Sequence, residues 1–241
     1  MSTIDQYDFL AGAVLLIDKP LEWTSFDVVN KVRYALKRRL NIKKIKVGHA
    51  GTLDPLATGL LILCTGKATK QIDRYQAQTK RYEGTLRLGA TTPSFDLETE
   101  IDREYPTEHL TPEILETVRQ KFIGTIEQYP PMYSAIKVDG QPLYKAARKG
   151  KTVEVKSRRV EIEQFELTDI RLPEVDFSIT CSKGTYIRSL AYDFGKAAGS
   201  GAHLTRLVRT GIGAVSLSQA WELSELIAAL DDRDPAPSGT D

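Results

Sequence analysis

The sequence predicts a globular chain of mixed helix and strand, one large α/β or α+β domain in preference to two smaller ones. Its 241 residues are enough to bury a sizeable core. Apolar residues recur at helical spacing in some stretches and alternate with polar ones in others, so both kinds of element are present. Hydrophobic and charged fractions of 41% and 27% are ordinary for folded proteins and exclude wholesale disorder.

Residues 13–17 form a short apolar run ended by Lys19-Pro20, as in a buried strand leaving its sheet at a turn. Thr24 with Asp27 three residues on reads as a capping box, opening a helix through Phe26, Val29, Val32 and Leu36. Lys37, Arg38 and Arg39 fall at its end, where cations favour the helix macrodipole. The unbroken apolar run 60–64 has the character of a strand buried on both faces, and Gly66 stops it. Tyr82, Leu86 and Leu88 alternate with Arg81, Glu83, Thr85 and Arg87, which makes a strand with Tyr82 on its inward face. Residues 112–123 give an amphipathic helix with Ile114, Val118 and Phe122 on one side.

Val160, Ile162 and Phe165 mark a strand that Pro173 breaks. Val175, Phe177, Ile179 and Cys181 then alternate with Asp176, Ser178 and Thr180, giving a hairpin with one wet face. The stretch from Gly184 leads into a helix reaching Ala198, residues 204–217 read as further strand, and helix signals return at 224–230. Residues 231–241 are acidic and rich in breakers, the composition of a disordered tail, so the expected domain spans 1–230.

A net charge of +1 forbids any argument from bulk charge, yet Lys37, Arg38, Arg39, Lys43, Lys44 and Lys46 cluster early and suit an anionic partner. Cys64 and Cys181 sit in apolar settings without a Cys/His ligand pattern and read as buried free thiols; no metal site is expected. The N-terminus lacks a signal-like pattern and no apolar run approaches membrane-spanning length, so a cytoplasmic protein is expected.

The stretch from Lys46 to Gly59 is the most informative. It sets one carboxylate, Asp54, in a loop punctuated by Gly48, Gly51 and Gly59, with His49 beside it and lysines leading in. Asp-Pro among glycines is common turn chemistry. Glycines that let a backbone approach a ligand, together with the imidazole and the lysines, favour a functional loop instead. Gly66-Lys67-Ala68-Thr69 fails the Walker pattern, Gly211-Ile212-Gly213 lacks a third glycine in register, and no G-x-S-x-G elbow accompanies the three histidines at 49, 109 and 203. From Tyr129 to Lys151 aromatic and basic residues interleave without periodicity, as in a protruding loop.

Gly51-Thr52-Leu53-Asp54-Pro55-Leu56-Ala57-Thr58-Gly59 resembles the signature of TruB-type tRNA pseudouridine synthases. So do, in the same order, Asp18-Lys19-Pro20 with Thr24-Ser25, Lys80-Arg81-Tyr82, Tyr129-Pro130-Pro131 through Ser134-Ala135-Ile136-Lys137, Lys183-Gly184-Thr185-Tyr186-Ile187-Arg188 and Leu204-Thr205-Arg206-Leu207. The resemblance runs from about residue 12 to about residue 215. It implies an α+β fold with a mixed, mostly antiparallel central sheet, flanking helices, an active-site cleft and a thumb-like insertion at 129–151.

It also implies isomerisation of the T-loop uridine of tRNA to pseudouridine without a cofactor, because the bond broken and the bond made lie within one nucleotide. Asp54 would be the nucleophile, attacking ribose C1′ or base C6. The base must first leave the RNA stack, at a cost of order a few kcal/mol, and be held by stacking and edge contacts. His49 would fill the place of the departing base or brace the flipped nucleotide. Tyr82 would stack on the uracil and carry the general-base role. A carboxylate losing water needs a cation to stay ionised, and Arg188 is the partner the resemblance assigns. Tyr186 would pack beside it, Leu207 would supply an apolar wall, and Lys19 with Pro20 would support the pocket. Lys137, Lys145, Arg148 and Lys151 would meet phosphates of the T-arm, giving salt-dependent binding. Many bacterial members continue into a small PUA-type RNA-binding domain that this sequence does not show, so the T-arm is expected to carry most of the affinity. A monomer is expected. The competing expectations are a non-catalytic T-arm binding or folding module, and a pseudouridine synthase for other RNA hairpins.

Overall fold

The computed structural model describes residues 4–134, 136–138, 140–147, 153 and 155–232. In chain order the first elements are β1 (Val14–Lys19), α1 (Ser25–Arg39), β2 (Val47–His49), β3 (Ala57–Thr65) and α2 (Ile72–Gln76). There follow β4 (Lys80–Leu88), β5 (Ala90–Thr91), β6 (Arg103–Glu104), α3 (Pro112–Gln120), β7 (Gly124–Gln128), β8 (Lys137–Val138), β9 (Gln141–Pro142) and α4 (Leu143–Ala147). The chain continues through β10 (Arg158–Arg171), β11 (Glu174–Cys181), α5 (Ile187–Ala197), β12 (Ala202–Ile212), β13 (Val215–Ser216), β14 (Trp221–Glu222) and α6 (Leu223–Asp231). Two compact units separate, Met1–Gln78 with Val208–Asp241, and Thr79–Leu207.

In the first unit the strand order is β14-β1-β3-β12, with β2 on β3 and β13 on β12. The β1–β3 pairing is antiparallel and β1–β14 parallel. Residues 60–64 are fully buried, and alternate side chains serve two different cores as expected of a strand covered on both faces. Leu61 and Leu63 join the cluster under α1 and α6, whereas Leu60, Ile62 and Cys64 face a second cluster with Ala50 and Ile212. Gly59 has φ +100°, and a Cβ there would lie 2.4 Å from the Arg209 carbonyl oxygen, so glycine lets β3 and β12 approach. A Cβ on Gly48 would meet the Ile72 side chain. At these two positions the glycines admit the protein's own chain.

Helix α1 begins with the capping box read from the sequence: Thr24 accepts from the Asp27 N–H and Asp27 from the Thr24 N–H. Its buried face is rotated from the expected one. Val28, Val29, Val32, Ala35 and Leu36 are buried, while Phe26 is 61% exposed. The reason is geometric: Phe26 lies three residues before Val29 but outside the arc that Val28, Val32 and Ala35 define against the core. Part of the basic cluster is structural, because Arg39 donates to the carbonyls of Ala229 in the last turn of α6 and of Asp232 just beyond it, and to the Asp5 carboxylate.

In the second unit the order is β12-β4-β11-β10-β7. Strands β4, β11, β10 and β7 pair antiparallel in sequence, and β11 alternates buried and half-buried residues along its whole length. Their inner face packs against α3 and α5 around Phe165, Phe177 and Phe194. On α3 the buried residues are Leu115 and Val118, whereas Ile114 is 39% exposed, correcting the expected phase. Between Tyr129 and Lys151, where a loop was expected, lie the β8–β9 hairpin and α4; residues 135, 139 and 148–151 fall outside the described residues. Helix α6 reaches Asp231 inside the stretch expected as a tail, of which 233–241 are outside the described residues. Cys64 and Cys181 are buried free thiols.

The corrected helix phase has a measurable consequence. Val29→Ala should cost about 2 kcal/mol by lost burial and cavity formation, whereas Phe26→Ser should stay within about 0.5 kcal/mol, both read by urea unfolding.

Candidate active site

Of the residues singled out from the sequence, Lys19, His49 and Asp54 lie in the first unit, and Tyr82, Lys137, Lys145, Tyr186, Arg188 and Leu207 in the second. Arg148 lies outside the described residues.

Asp54 is half-buried in the loop between β2 and β3. Its carbonyl accepts from the Ala57 N–H, closing a turn around Pro55. At the end of β1, Lys19 is completely buried. Its Nζ donates to the carbonyls of Pro20 at 2.8 Å, Trp23 at 2.6 Å and Pro55 at 3.3 Å. All three ammonium donors thus have an acceptor, and one acceptor is the residue directly after Asp54. Burial lowers the Lys19 pKa to about 8, against the pull of the Asp54 carboxylate, which favours the charged form. Lys19 thereby holds the loop at Pro55.

His49 sits on β2 opposite Leu63. Burial first, and then the Arg209 guanidinium, lower its pKa and favour the neutral imidazole. Its Nδ1 is buried without a hydrogen-bond partner among the described residues.

Arg209 escaped the sequence reading. It is 1% exposed on β12, where its Nε donates to the Leu60 carbonyl at 2.7 Å and an Nη to the Gly51 carbonyl at 3.1 Å. It therefore ties the start of the Asp54 loop to β3. An arginine among apolar strand neighbours was its only signal, and that pattern is as common on a wet strand.

In the second unit, Arg188 lies in the first turn of α5 and is 3% exposed. It donates to the Ser94 carbonyl at 3.1 Å and to the Tyr133 carbonyl at 2.9 Å, and its Nε lies 3.6 Å from the Asp96 carboxylate. A solvated arginine at a helix start would make none of these contacts. The segment that receives it is itself tightly bonded: Thr92 and Ser94 donate to the Asp96 carbonyl, Asp96 accepts from the Glu98 N–H, and Phe95 at φ 65° stacks on Tyr192. Asp96 had no sequence signal.

Tyr82 and Leu207 are half-buried, both against the apolar cluster of this unit. The Tyr186 ring lies under the Arg158 guanidinium at 5.2 Å. Its backbone is gripped by fully buried Gln128, whose Oε1 accepts from the Tyr186 N–H at 2.7 Å and whose Nε2 donates to the Tyr186 carbonyl at 3.0 Å. Gln128 is a further residue the sequence reading missed. Lys145 is exposed on α4.

Two predictions follow from these bonds. Gln128→Met keeps the volume but orphans the Tyr186 N–H, since the carbonyl retains its bond from Leu190; unfolding should show a loss of about 1–3 kcal/mol. Between pH 8 and 10.5 the unfolded chain holds a Lys19 proton that the folded protein has released, so this group makes stability rise with pH across that window. Urea unfolding at both ends should show the wild type gaining on Lys19→Met as pH rises. A constant difference would mean that the carbonyls keep the proton in place.

The model of the TruB family pseudouridylate synthase (N terminal domain) matches residues 37–187. A tRNA pseudouridine synthase B of Parabacteroides distasonis is 59% identical over 219 residues, covering 91% of this chain and 93% of its own. That of Phocaeicola vulgatus is 57% identical over 227 residues, covering 94% and 97%. Among solved structures, the crystal structure of a Cbf5-Nop10-Gar1 complex aligns at a TM-score of 0.70 with 28% identity over 94% of this chain, which spans 56% of that longer chain. With a mixed, mostly antiparallel sheet and flanking helices in common with these enzymes, the chain belongs to the TruB family of pseudouridylate synthases.

Proposed function

We propose that this protein isomerises a uridine of tRNA, the T-loop uridine at position 55, to pseudouridine, with Asp54 as the nucleophile. The observation that carries the reading is the Asp54 loop, whose sequence resembles the family signature, whose next carbonyl accepts from the buried Lys19 ammonium and whose carboxylate favours the charged form of that ammonium. The relatives named tRNA pseudouridine synthase B, similar over nearly their whole length, support the substrate class.

The chemistry is an internal exchange. The bond from ribose C1′ to base N1 breaks, one from C1′ to C5 forms, C5 gives up its proton and N1 takes one up. Asp54 attacks the flipped nucleotide as an ionised carboxylate. Lys19 favours that state from within the same unit, and Arg188 acts as the second cation. Tyr82 stacks on the uracil and takes the proton, His49 braces the flipped nucleotide with a neutral ring, Tyr186 packs beside Arg188, and Leu207 forms an apolar wall. Lys137, Lys145 and Arg148 meet T-arm phosphates. Among the described residues no helix is long and apolar enough to cross a membrane. That the protein works as a monomer in the cytoplasm is part of the same proposal.

Pseudouridine mapping of T-arm RNA treated with the full chain tests the reading. Wild type should yield product, whereas Asp54→Asn should yield none while still binding RNA. Equal product from both would sink the role of Asp54. Binding without product from either would point to a folding module instead, and product only on other hairpins would move the substrate.

A further inference from the structure

A nucleophile on a loop is only as well placed as the peptide planes on either side of it. On the far side of Asp54, the Pro55 carbonyl accepts from Lys19 Nζ at 3.3 Å and from the Glu22 N–H at 2.9 Å. On the near side, beyond the Gly51 carbonyl held by Arg209, the residue next to Asp54 is held by Ser25. Ser25 Oγ accepts from the Leu53 N–H at 2.8 Å and donates to the Leu53 carbonyl at 3.1 Å. Ser25 and Leu53 are 2% and 4% exposed, so water does not compete for either bond.

This pair of bonds has a specific geometric effect. The Leu53 N–H and carbonyl belong to the two peptide planes that meet at Leu53, and the second plane ends at the Asp54 Cα. Fixing both planes sets where the Asp54 Cα sits and, with the Asp54 carbonyl on the other side accepting from the Ala57 N–H at 3.1 Å, the direction in which the Cα–Cβ bond leaves the loop. Nor is the hydroxyl needed by its own helix. Ser25 opens α1, but Thr24 and Asp27 already cap that end.

Resting on the reading of Asp54 as nucleophile, we propose that Ser25 is a positioning residue for the reaction: its hydroxyl aims the Asp54 carboxylate without touching the RNA. Alanine at this position keeps the helix but leaves two buried backbone groups unsatisfied and the loop free to turn. Threonine keeps the oxygen. A displacement of about 1 Å at a reacting group lowers a rate by about 10²-fold.

The test is single-turnover conversion of T-arm RNA by the wild type, Ser25→Ala, Ser25→Thr and Asp54→Asn, with RNA affinity measured alongside. Ser25→Ala should bind RNA as the wild type does and react about 10²-fold more slowly, and Ser25→Thr should recover most of the rate. Wild-type speed in Ser25→Ala overturns the proposal. So does a slow Ser25→Ala whose RNA affinity falls in step, or a Ser25→Thr no faster than the alanine variant. Should Ser25→Ala not fold, Ser25→Cys keeps the volume with a weaker donor: slow turnover with intact binding supports the role, and an unchanged rate removes it. Hydrogen exchange at the Leu53 amide reads the hold without the reaction, and equal protection in wild type and a folded Ser25→Ala overturns it. A wild type that binds RNA but makes no pseudouridine instead refutes the functional reading, separately from the fate of Ser25.

Discussion

Taking a cation out of water is costly unless its donors are met, and this constraint organises the chain around its functional residues. Lys19, Arg188 and Arg209 are each 3% exposed or less. Their partners are chiefly backbone carbonyls: Pro20, Trp23 and Pro55 for Lys19, Ser94 and Tyr133 for Arg188, Leu60 and Gly51 for Arg209. Loops have carbonyls with no strand or helix to satisfy them, and a buried cation has donors in need of acceptors. Each requirement meets the other, so these side chains hold irregular segments in one conformation that local propensity would leave free.

Neutral side chains do the same with smaller charge. Ser25 and Gln128 each bond both the N–H and the carbonyl of a single residue, Leu53 in one unit and Tyr186 in the other, as a neighbouring strand would. Such a bridge satisfies both backbone groups while letting the chain turn immediately afterwards, which a real strand partner would prevent. The residues that follow, Asp54 in one case and Ile187 opening α5 towards Arg188 in the other, inherit a fixed starting direction. Rigid support of this kind is what a reaction needs from residues carried on loops and helix ends.

The longer regular elements were legible because their signals are local, whereas the short β8–β9 hairpin and α4 were not. The run at 60–64 had the character of a doubly covered strand, the alternation at 175–181 that of a half-wet one, and the Thr24–Asp27 pair that of a helix start, and each is what the structure contains. The rotation of α1 was less so: Phe26 fits the helical spacing of Val29 and Leu36, and only the position of the sheet decides which arc is covered. Arg209, Gln128, Ser25 and Asp96 were illegible as working residues for a related reason. A buried polar side chain and a solvated one are the same letter, and what separates them is an acceptor far away in the chain, such as Leu60 for Arg209 or Tyr186 for Gln128.

By itself, then, the sequence determined most of the long elements, their order, the family and which carboxylate to propose as nucleophile, since periodicity and short motifs are properties of neighbouring residues. Only the tertiary structure decided which cations are buried, which carbonyls they hold and how the peptide planes beside Asp54 are fixed. Those depend on bonds spanning 28 residues from Ser25 to Leu53, 36 from Lys19 to Pro55 and 149 from Arg209 to Leu60. Hydrogen bonds act over about 3 Å in space at any separation along the chain, so they leave no periodic trace in the sequence that folds to make them.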